Sequence, residues 1–395
     1  MSPHIFLVAG EESGDRLGAS LIAAIKRRVP EARFSGVGGS HMAGEGIVSP
    51  FPLGDLAIIG VSAIIGSLPK ILRRIREAAD AVVAAKPDIL VIIDSPEFTH
   101  RVAKRVRKIA PHIPIVDYVC PSVWAWRSGR ARVMRSYVDH VLALLPFEPA
   151  AMQRLGGPPT TFVGHPLSER IDALRPNAEE ARRRMSDPPV LLVLPGSRSG
   201  EIRRLADVFG QAVDLLAQRV GSVEVVVPSI PRLEAAVKDA TASWAMPVRI
   251  VTSPEGKDAA FRIARAALSK SGTSTLELAL AGVPMAAAYK VSFLEEMIGR
   301  AFIRVKSYIL ANLVLDENVV PEFLQHFCTP ENLADALQPL VADKPERRRQ
   351  TEAFTRLDRI MAIGMAAPSE RAADVILSCL PGLNHPPPGA WQPPS

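Results

Sequence analysis

A chain of 395 residues exceeds the size at which a single hydrophobic core stops growing, roughly 250 to 300 residues, so two domains are expected. Its 48% hydrophobic content suits a globular protein, and because only 5% of residues are aromatic the cores must be built from Ala, Val, Leu and Ile. Three scattered cysteines, Cys120, Cys328 and Cys379, exclude a disulfide framework and a zinc site, while a net charge of +6 leaves nucleic acid, an anionic membrane surface and anionic substrates open.

The N-terminus runs at once into a strand pattern, with no basic segment and long apolar stretch of the secretory kind, so no export is expected. No stretch reaches the ~18 unbroken apolar residues that a spanning helix needs. The best candidate, 56–72, is interrupted by Gly60, Gly66, Pro69 and Lys70.

Short apolar runs alternate with helical patterns along the whole chain, which predicts parallel sheets covered by helices. In the first half the strands are expected at 5–9, 33–37, 89–93, 115–119 and 141–145. The first runs into Gly10-Glu11-Glu12-Ser13-Gly14-Asp15, where the carboxylates repel a phosphate but suit the hydroxyls of an acceptor. Acids also favour a helix start for dipole reasons alone; three after a glycine is more than capping needs. The apolar stretch 58–68, holding Ile58, Ile59, Ile64, Ile65 and Leu68, is followed by Lys70, Arg73, Arg74 and Arg76, a composition that fits a lipid interface or, equally, a buried helix with a basic outer side. Asp94 closes the buried strand 89–93 and is expected to act as a general base. The plain alternative is a helix cap, but Ser95 and Pro96 already supply cap and first-turn residue. Residues 118–127 gather Trp124 and Trp126 ahead of Arg130, Arg132 and Arg135; without an accompanying RNA-binding motif, core packing and a solvated basic face explain them better than nucleic acid does.

A break at Arg175-Pro176-Asn177 precedes the second half, whose strands are expected at 190–194, 223–227, 248–251, 266–269 and 285–289. Two of them lead into small, hydroxylated, positive loops of the kind that cradle anions at helix N-termini: Gly196, Ser197 and Arg198 ahead of Glu201, and Ser271, Gly272, Thr273 and Ser274 ahead of Glu277. Arg198 offers a bidentate fork to a leaving diphosphate, unless it simply pairs with Glu201. Glu277 suits ribose hydroxyls, or completes a capping box with Ser274. No Asp-x-Asp pair supplies a metal clamp, so positive donors are expected to do a metal's work. The segment 293–315 mixes apolar and basic residues and is read as covering the cleft expected between the domains. The proline-rich end, 381–395, is expected to be disordered.

Taken in order, the 8–15 turn, the 93–96 turn, Pro121-Ser122-Val123-Trp124-Ala125-Trp126-Arg127, Leu145-Pro146-Phe147-Glu148, Phe162-Val163-Gly164-His165, Leu194-Pro195-Gly196-Ser197-Arg198 and Ser271-Gly272-Thr273 resemble the lipid-A-disaccharide synthase family over residues 4 to 380. The resemblance implies the α/β glycosyltransferase B-type fold, two doubly wound Rossmann-like domains at 1–168 and 169–349, with a helix at about 350–380 returning to the first. It implies an inverting, metal-independent hexosyltransferase without organic cofactor. UDP-2,3-diacylglucosamine would be the donor and 2,3-diacylglucosamine 1-phosphate the acceptor, on the cytoplasmic face of the inner membrane. Asp94 then matches the family's essential aspartate and Arg198 an essential arginine near the donor. Ser271, Gly272, Thr273 and Glu277 match the nucleotide site, and Asn312 and Gln325 match further polar residues around it. Glu11, Glu12, Ser13 and Asp15 fall to the acceptor side. A homodimer stays open, and no nucleic acid is expected. The chain departs from the family pattern at Glu97, Cys120 and Ala311, where aspartate, serine and proline are expected. The alternatives are another UDP-sugar enzyme of the same fold, an epimerase or a soluble-acceptor transferase, and a non-catalytic binder.

Overall fold

The computed structural model describes residues 2–56, 61–291 and 306–380, with backbone alone over 61–68. The contacts divide the chain into two units, Met1–Ser168 with Gly364–Ser395, and Glu169–Ile363.

The first unit is built on a parallel sheet of β1 (His4–Ala9), β2 (Arg33–Val37), β3 (Ile89–Ile93), β4 (Ile115–Tyr118), β5 (His140–Ala143) and β6 (Thr160–Phe162), in the order β2-β1-β3-β4-β5-β6. Its strands are apolar on both faces because both are covered. Ile5, Leu7, Ile89, Val91 and Ile93 pack with Leu21, Ile22 and Ile25 of helix Glu12–Arg28 and with Ala372, Ala373, Val375 and Ile376 of helix Pro368–Ser378. Phe6, Val8, Leu90 and Ile92 pack with Ile75, Ala78 and Val82 of helix Val61–Ala85 and with Val102, Ala103 and Val106 of helix Pro96–Ile109. Each Val, Leu, Ile or Phe among them contributes about 1.5 to 3 kcal/mol when taken from water and each Ala less, so the returning helix is a structural member of the sheet's cover. Ion pairs of Arg27 and Arg28 with Glu370, and of Arg28 with Asp374, fix its register.

The second unit repeats the plan with β7 (Val190–Leu194), β8 (Glu224–Pro228), β9 (Val248–Val251), β10 (Ala266–Lys270), β11 (Met285–Tyr289) and β12 (Glu322–Leu324), all parallel, in the order β12-β11-β10-β7-β8-β9. Helices Ser199–Val220 and Pro330–Val341 cover one face of it. Three buried arginines tie the helix ends beneath the sheet: Arg184 donates to the carbonyls of Phe261, Arg262, Ala281 and Gly282, Arg265 to those of Arg184 and Val341, and Arg347 to those of Arg265 and Leu340. Cations at helix C-termini complement the negative end of the dipole, and here each also satisfies carbonyls that would otherwise be buried without partners.

Both sheets are doubly wound, as the apolar runs require. The short edge strands β6 and β12 escape the sequence pattern, and the strand expected at 141–145 lies at 140–143, ending before the 144–147 turn. The terminal segment 381–395, most of 293–315, and residues 57–60 with Ile58 and Ile59 lie outside the described residues; so do the side chains of Ile64, Ile65 and Leu68.

Candidate active site

In each sheet the strand order reverses at one point, and the loops at the carboxyl ends of the two strands there diverge to open a crevice. In the first unit that point lies between β1 and β3. It brings the 10–13 loop against the 94–97 loop. Ser13 Oγ donates to Asp94 Oδ2 at 2.7 Å, the Ser95 backbone N–H donates to Asp94 Oδ1 at 2.7 Å, and Ser95 Oγ donates to Glu11 Oε1 at 2.8 Å. Asp94 and Ser95 both take left-handed backbone angles, φ 55° and 48°. Two adjacent non-glycine residues in that region store strain, which the surrounding hydrogen bonds must over-determine. The carboxyl group is thereby turned out of the strand direction and kept half-buried, while Thr99 Oγ1 donates to the Asp94 carbonyl at 2.6 Å. Ser95 does not cap helix Pro96–Ile109 with its side chain; Pro96 starts it. Gly10 permits the close approach, since a Cβ there would stand 2.4 Å from Ser95 Cβ.

Of the four acidic-loop residues, Glu11, Glu12 and Ser13 are exposed, whereas Asp15 is buried. Asp15 accepts from the backbone N–H groups of Gly39, His41 and Met42, at 2.7, 2.9 and 3.1 Å. It clips the 38–42 loop to helix Glu12–Arg28, and this work inside the fold accounts for its carboxylate. Below the Asp94 turn, Asp117 Oδ2 lies 3.0 Å from His100 Nε2, and His100 Nδ1 lies 3.1 Å from Tyr137 Oη. Burial pushes the Asp117 carboxyl up, against the opposing effect of His100.

The tryptophan motif folds over a buried acid that sequence reasoning did not single out. Glu148 accepts from Trp124 Nε1 at 3.2 Å and from the N–H groups of Leu144 and Leu145, while Trp124 meets the Phe147 ring edge-on. Burial lifts its carboxyl to about 7, although the hydrogen bonds from Leu145, Trp124 and Leu144 pull the other way. Trp126 is partly exposed with the Arg127 guanidinium 4.5 Å above its ring.

The second unit reverses its strand order between β7 and β10. There the 195–198 and 271–274 loops border a cavity of about 420 Å³ lined by Gly196, Ser197, Arg198, Glu201, Lys257, Lys270, Gly272, Thr273 and Ser274 on the polar side, with Pro228, Ile230 and Leu233 on the apolar side. That volume is within the range of small-ligand sites. Helix Thr273–Leu280 begins without a side-chain cap, after Gly272, so the capping-box alternative for Ser274 and Glu277 does not hold. Glu277, 6% exposed, instead accepts from Lys257 Nζ at 2.8 and 2.9 Å, with Arg170 at 3.9 Å. Ser271 Oγ is buried and has no partner among the described residues. Arg198 is 83% exposed, 3.8 Å from Glu201, and free to extend into the cavity. Glu201 itself accepts from the Ser197 N–H at 2.9 Å and pairs with Lys270 at 3.1 Å. Gly196, at φ 134°, admits that carboxylate where a Cβ would stand 2.5 Å from it.

Asn312 is placed differently from the other donor-side candidates. Its amide is saturated within the fold: the N–H groups of Val319 and Val320 donate to Oδ1, and Nδ2 donates to Ser307 Oγ and the Val320 carbonyl. Gln325 accepts from the Val291 N–H at 2.8 Å and sits at φ 51°. Both brace the loops around β12 and lie outside the cavity lining. Lys257 and Lys270 line the cavity although neither was singled out from sequence. Lys270 was nonetheless legible, because a lysine that ends a buried strand directly before Ser271-Gly272-Thr273 must lie at the mouth of the site. On the basic segment after 68, Lys70 and Arg73 are exposed, Lys70 pairing with Asp55 at 2.6 Å and Arg73 with Glu77 at 3.5 Å, while Arg74 is held by Asp55 and Glu77 against the Phe51 ring.

Comparison with known proteins agrees with this layout. A family profile described as lipid-A-disaccharide synthetase matches residues 5–372. The lipid-A-disaccharide synthase of Nitrobacter hamburgensis is 60% identical over 380 residues, covering 96% of each chain, and that of Rhodospirillum centenum is 42% identical over 380 residues, covering 95% of this chain and 94% of the relative. Among solved structures, the UDP-GlcNAc 2-epimerase of Neisseria meningitidis bound to UDP-GlcNAc matches with a TM-score of 0.61 at 13% identity, covering 95% of this chain and 99% of the other. The MurG of Acinetobacter baumannii matches with 0.55 at 15% identity, with the same coverage. These two likenesses establish the fold, which is that of the B-type glycosyltransferases. Two doubly wound sheets with loops poised at their reversal points, and sequence identity running almost end to end, make this chain a member of the lipid-A-disaccharide synthase family.

Proposed function

We propose that the chain joins the diacylglucosamine of UDP-2,3-diacylglucosamine to the 6-hydroxyl of 2,3-diacylglucosamine 1-phosphate. The anomeric centre inverts, and the products are the β-1,6-linked disaccharide 1-phosphate and UDP. Family membership gives the activity of a lipid-A-disaccharide synthase, a glycosyltransferase of lipid A biosynthesis. The assignment of residues within it is our own reading.

The observation that supports this reading is the Asp94 carboxylate, turned out of the strand end by a strained backbone and held by two short hydrogen bonds. As general base it takes the proton of the acceptor's 6-hydroxyl while that oxygen bonds to the anomeric carbon, and the C1–O bond breaks with its electron pair going to UDP. Arg198, with Ser197, Thr273 and Ser274 at the two helix starts, receives the departing diphosphate, because charge developing there is what preorganised N–H donors stabilise. Glu11, Glu12 and Ser13 bind the acceptor sugar's hydroxyls. The acyl chains require a lipid surface, and we assign its headgroup contact to the segment 58–76, with Lys70 and Arg73 as the exposed cations. No described helix is long and apolar enough to cross a membrane.

UDP release from UDP-2,3-diacylglucosamine, measured with and without the diacylglucosamine 1-phosphate acceptor, tests the proposal. Release only with acceptor, together with a disaccharide product, is expected. Interconversion of the donor sugar without acceptor would make the chain an epimerase instead.

A further inference from the structure

Lys270 is the last residue of β10 and stands at the mouth of the second unit's cavity, one residue before Ser271-Gly272-Thr273. Its Nζ lies 3.1 Å from Glu201 Oε1 and 5.3 Å from the centre of the Tyr289 ring, and its side chain is only 19% exposed. The other lysine of the lining, Lys257, has both Glu277 oxygens within 2.9 Å and so is engaged with a carboxylate on the far side of the helix start. Arg198 is long and solvated, which lets it reach a ligand but gives it no fixed direction. Lys270 differs from both. Its stem is packed, its head is aimed by one carboxylate and one ring face, and an ammonium has three donors, so among the described residues two are left for another acceptor. Glu201 is in turn fixed by the Ser197 N–H, which ties the two loops of the cavity to the same charge. Burial by itself would raise the Glu201 carboxyl; the charge and hydrogen bond of Lys270, with Ser197 and Arg198, outweigh it and hold Glu201 below the usual carboxylate range, so Glu201 is a carboxylate at neutral pH.

We propose that Lys270 is a further catalytic residue of this site: it donates to the nucleotide's diphosphate and stabilises the charge that gathers there as the C1–O bond breaks, with Glu201 and the Tyr289 ring as the positioning groups that aim it. The inference rests on reading the cavity as the donor site. A fixed, partly desolvated cation is worth more at a developing charge than a solvated one, because less of its field is screened and no reorganisation is needed. Lys270 therefore acts on the diphosphate and not on the nucleoside, and this sets it apart from a merely structural lysine.

The test uses the full-length protein and titrates UDP, UMP and uridine into wild type, Lys270→Ala, Lys270→Met, Lys270→Arg and Arg198→Ala, with folding checked by circular dichroism. Lys270→Met keeps the apolar stem against Tyr289 and removes only the charge. In Lys270→Ala and Lys270→Met, UDP affinity should fall about tenfold or more, the preference for UDP over UMP should shrink by about the same factor, and uridine binding should hold. The turnover number should fall by ~10² to 10³. Lys270→Arg should recover most of the UDP preference. Wild-type UDP affinity in folded Lys270→Met, or equal loss of UDP, UMP and uridine, would overturn the proposal. Failure of the underlying reading looks different: wild type would not bind UDP, or Arg198→Ala would bind it undiminished. UDP binding that depends on Arg198 and ignores Lys270 sinks the present inference alone.

Discussion

Among the described residues one hydroxyl, from Ser13, and one backbone N–H, from Ser95, hold the strand-end carboxylate, and each comes from a residue whose own place depends on the reversal of strand order. Replacing Asp94 by Asn keeps the shape and the Ser13 contact but removes the proton acceptor, so the turnover number should drop by ~10² to 10⁴ while UDP affinity, measured by titration, stays at the wild-type value. Glu148 carries a second residue-scale consequence. Its carboxyl sits near 7 in the fold against 4.5 when exposed, so between these values the folded state holds more protons than the unfolded one and stability falls as pH rises. His165 tilts the other way, since burial lowers it from 6.5 to about 4 and its contribution is lost as pH falls through that window. The difference between Glu148→Gln and wild type isolates the first effect: denaturant melts should show the variant gaining up to ~3 kcal/mol relative to wild type between pH 5 and pH 8. The position of Asp94 was legible, because a carboxylate directly after the apolar strand 89–93 must fall in the turn at that strand's carboxyl end. Asp15 and Asn312 were misleading for a related reason: the N–H groups they satisfy belong to other loops, and nothing in the local pattern of either residue reveals that a loop must be clipped.

Among the elements, strands and helices declare themselves by apolar period, and the long central strands therefore appear in the sequence almost at their observed ends. β6 and β12 do not, because three residues at a sheet edge, of which Phe162 alone is buried, have no run long enough to read. The loops at the reversal points are the most constrained parts of the first unit. Gly10→Ala would drive a methyl group into Ser95 and part the two loops that fix the Asp94 turn. Because the strain is confined to an exposed crevice, stability should fall by only ~1 to 3 kcal/mol, as overpacking does. Activity should fall by at least ~10², since a misplacement near 1 Å is enough for that. Thermal melts and steady-state rates on the same preparation separate the two.

The whole molecule returns on itself. The last described helix follows the second unit in sequence and completes the first unit's cover, placing Ala372, Ala373, Val375 and Ile376 in a core whose other buried members, Leu380 apart, come from residues 5–163. Ending the chain after Ile363 removes these side chains together with the Glu370 and Asp374 ion pairs. The first unit should then lose cooperative unfolding near its normal temperature, while the second, whose sheet and described core lie within 169–363, should still melt as a unit and still be stabilised by UDP. Calorimetry of the shortened chain with and without UDP checks this; retention of both transitions would show that the helix is dispensable.

That return path also sets an order of events during protein synthesis. The amino-terminal half leaves the ribosome first, yet its apolar groove stays uncovered until helix Pro368–Ser378 has emerged, so the second unit can mature earlier. Nascent chains held with residues 1–363 extruded and helix Pro368–Ser378 still inside the ribosome should be cut by protease within the first 168 residues and resist cleavage beyond them, which reverses the usual amino-to-carboxyl progression of domain folding.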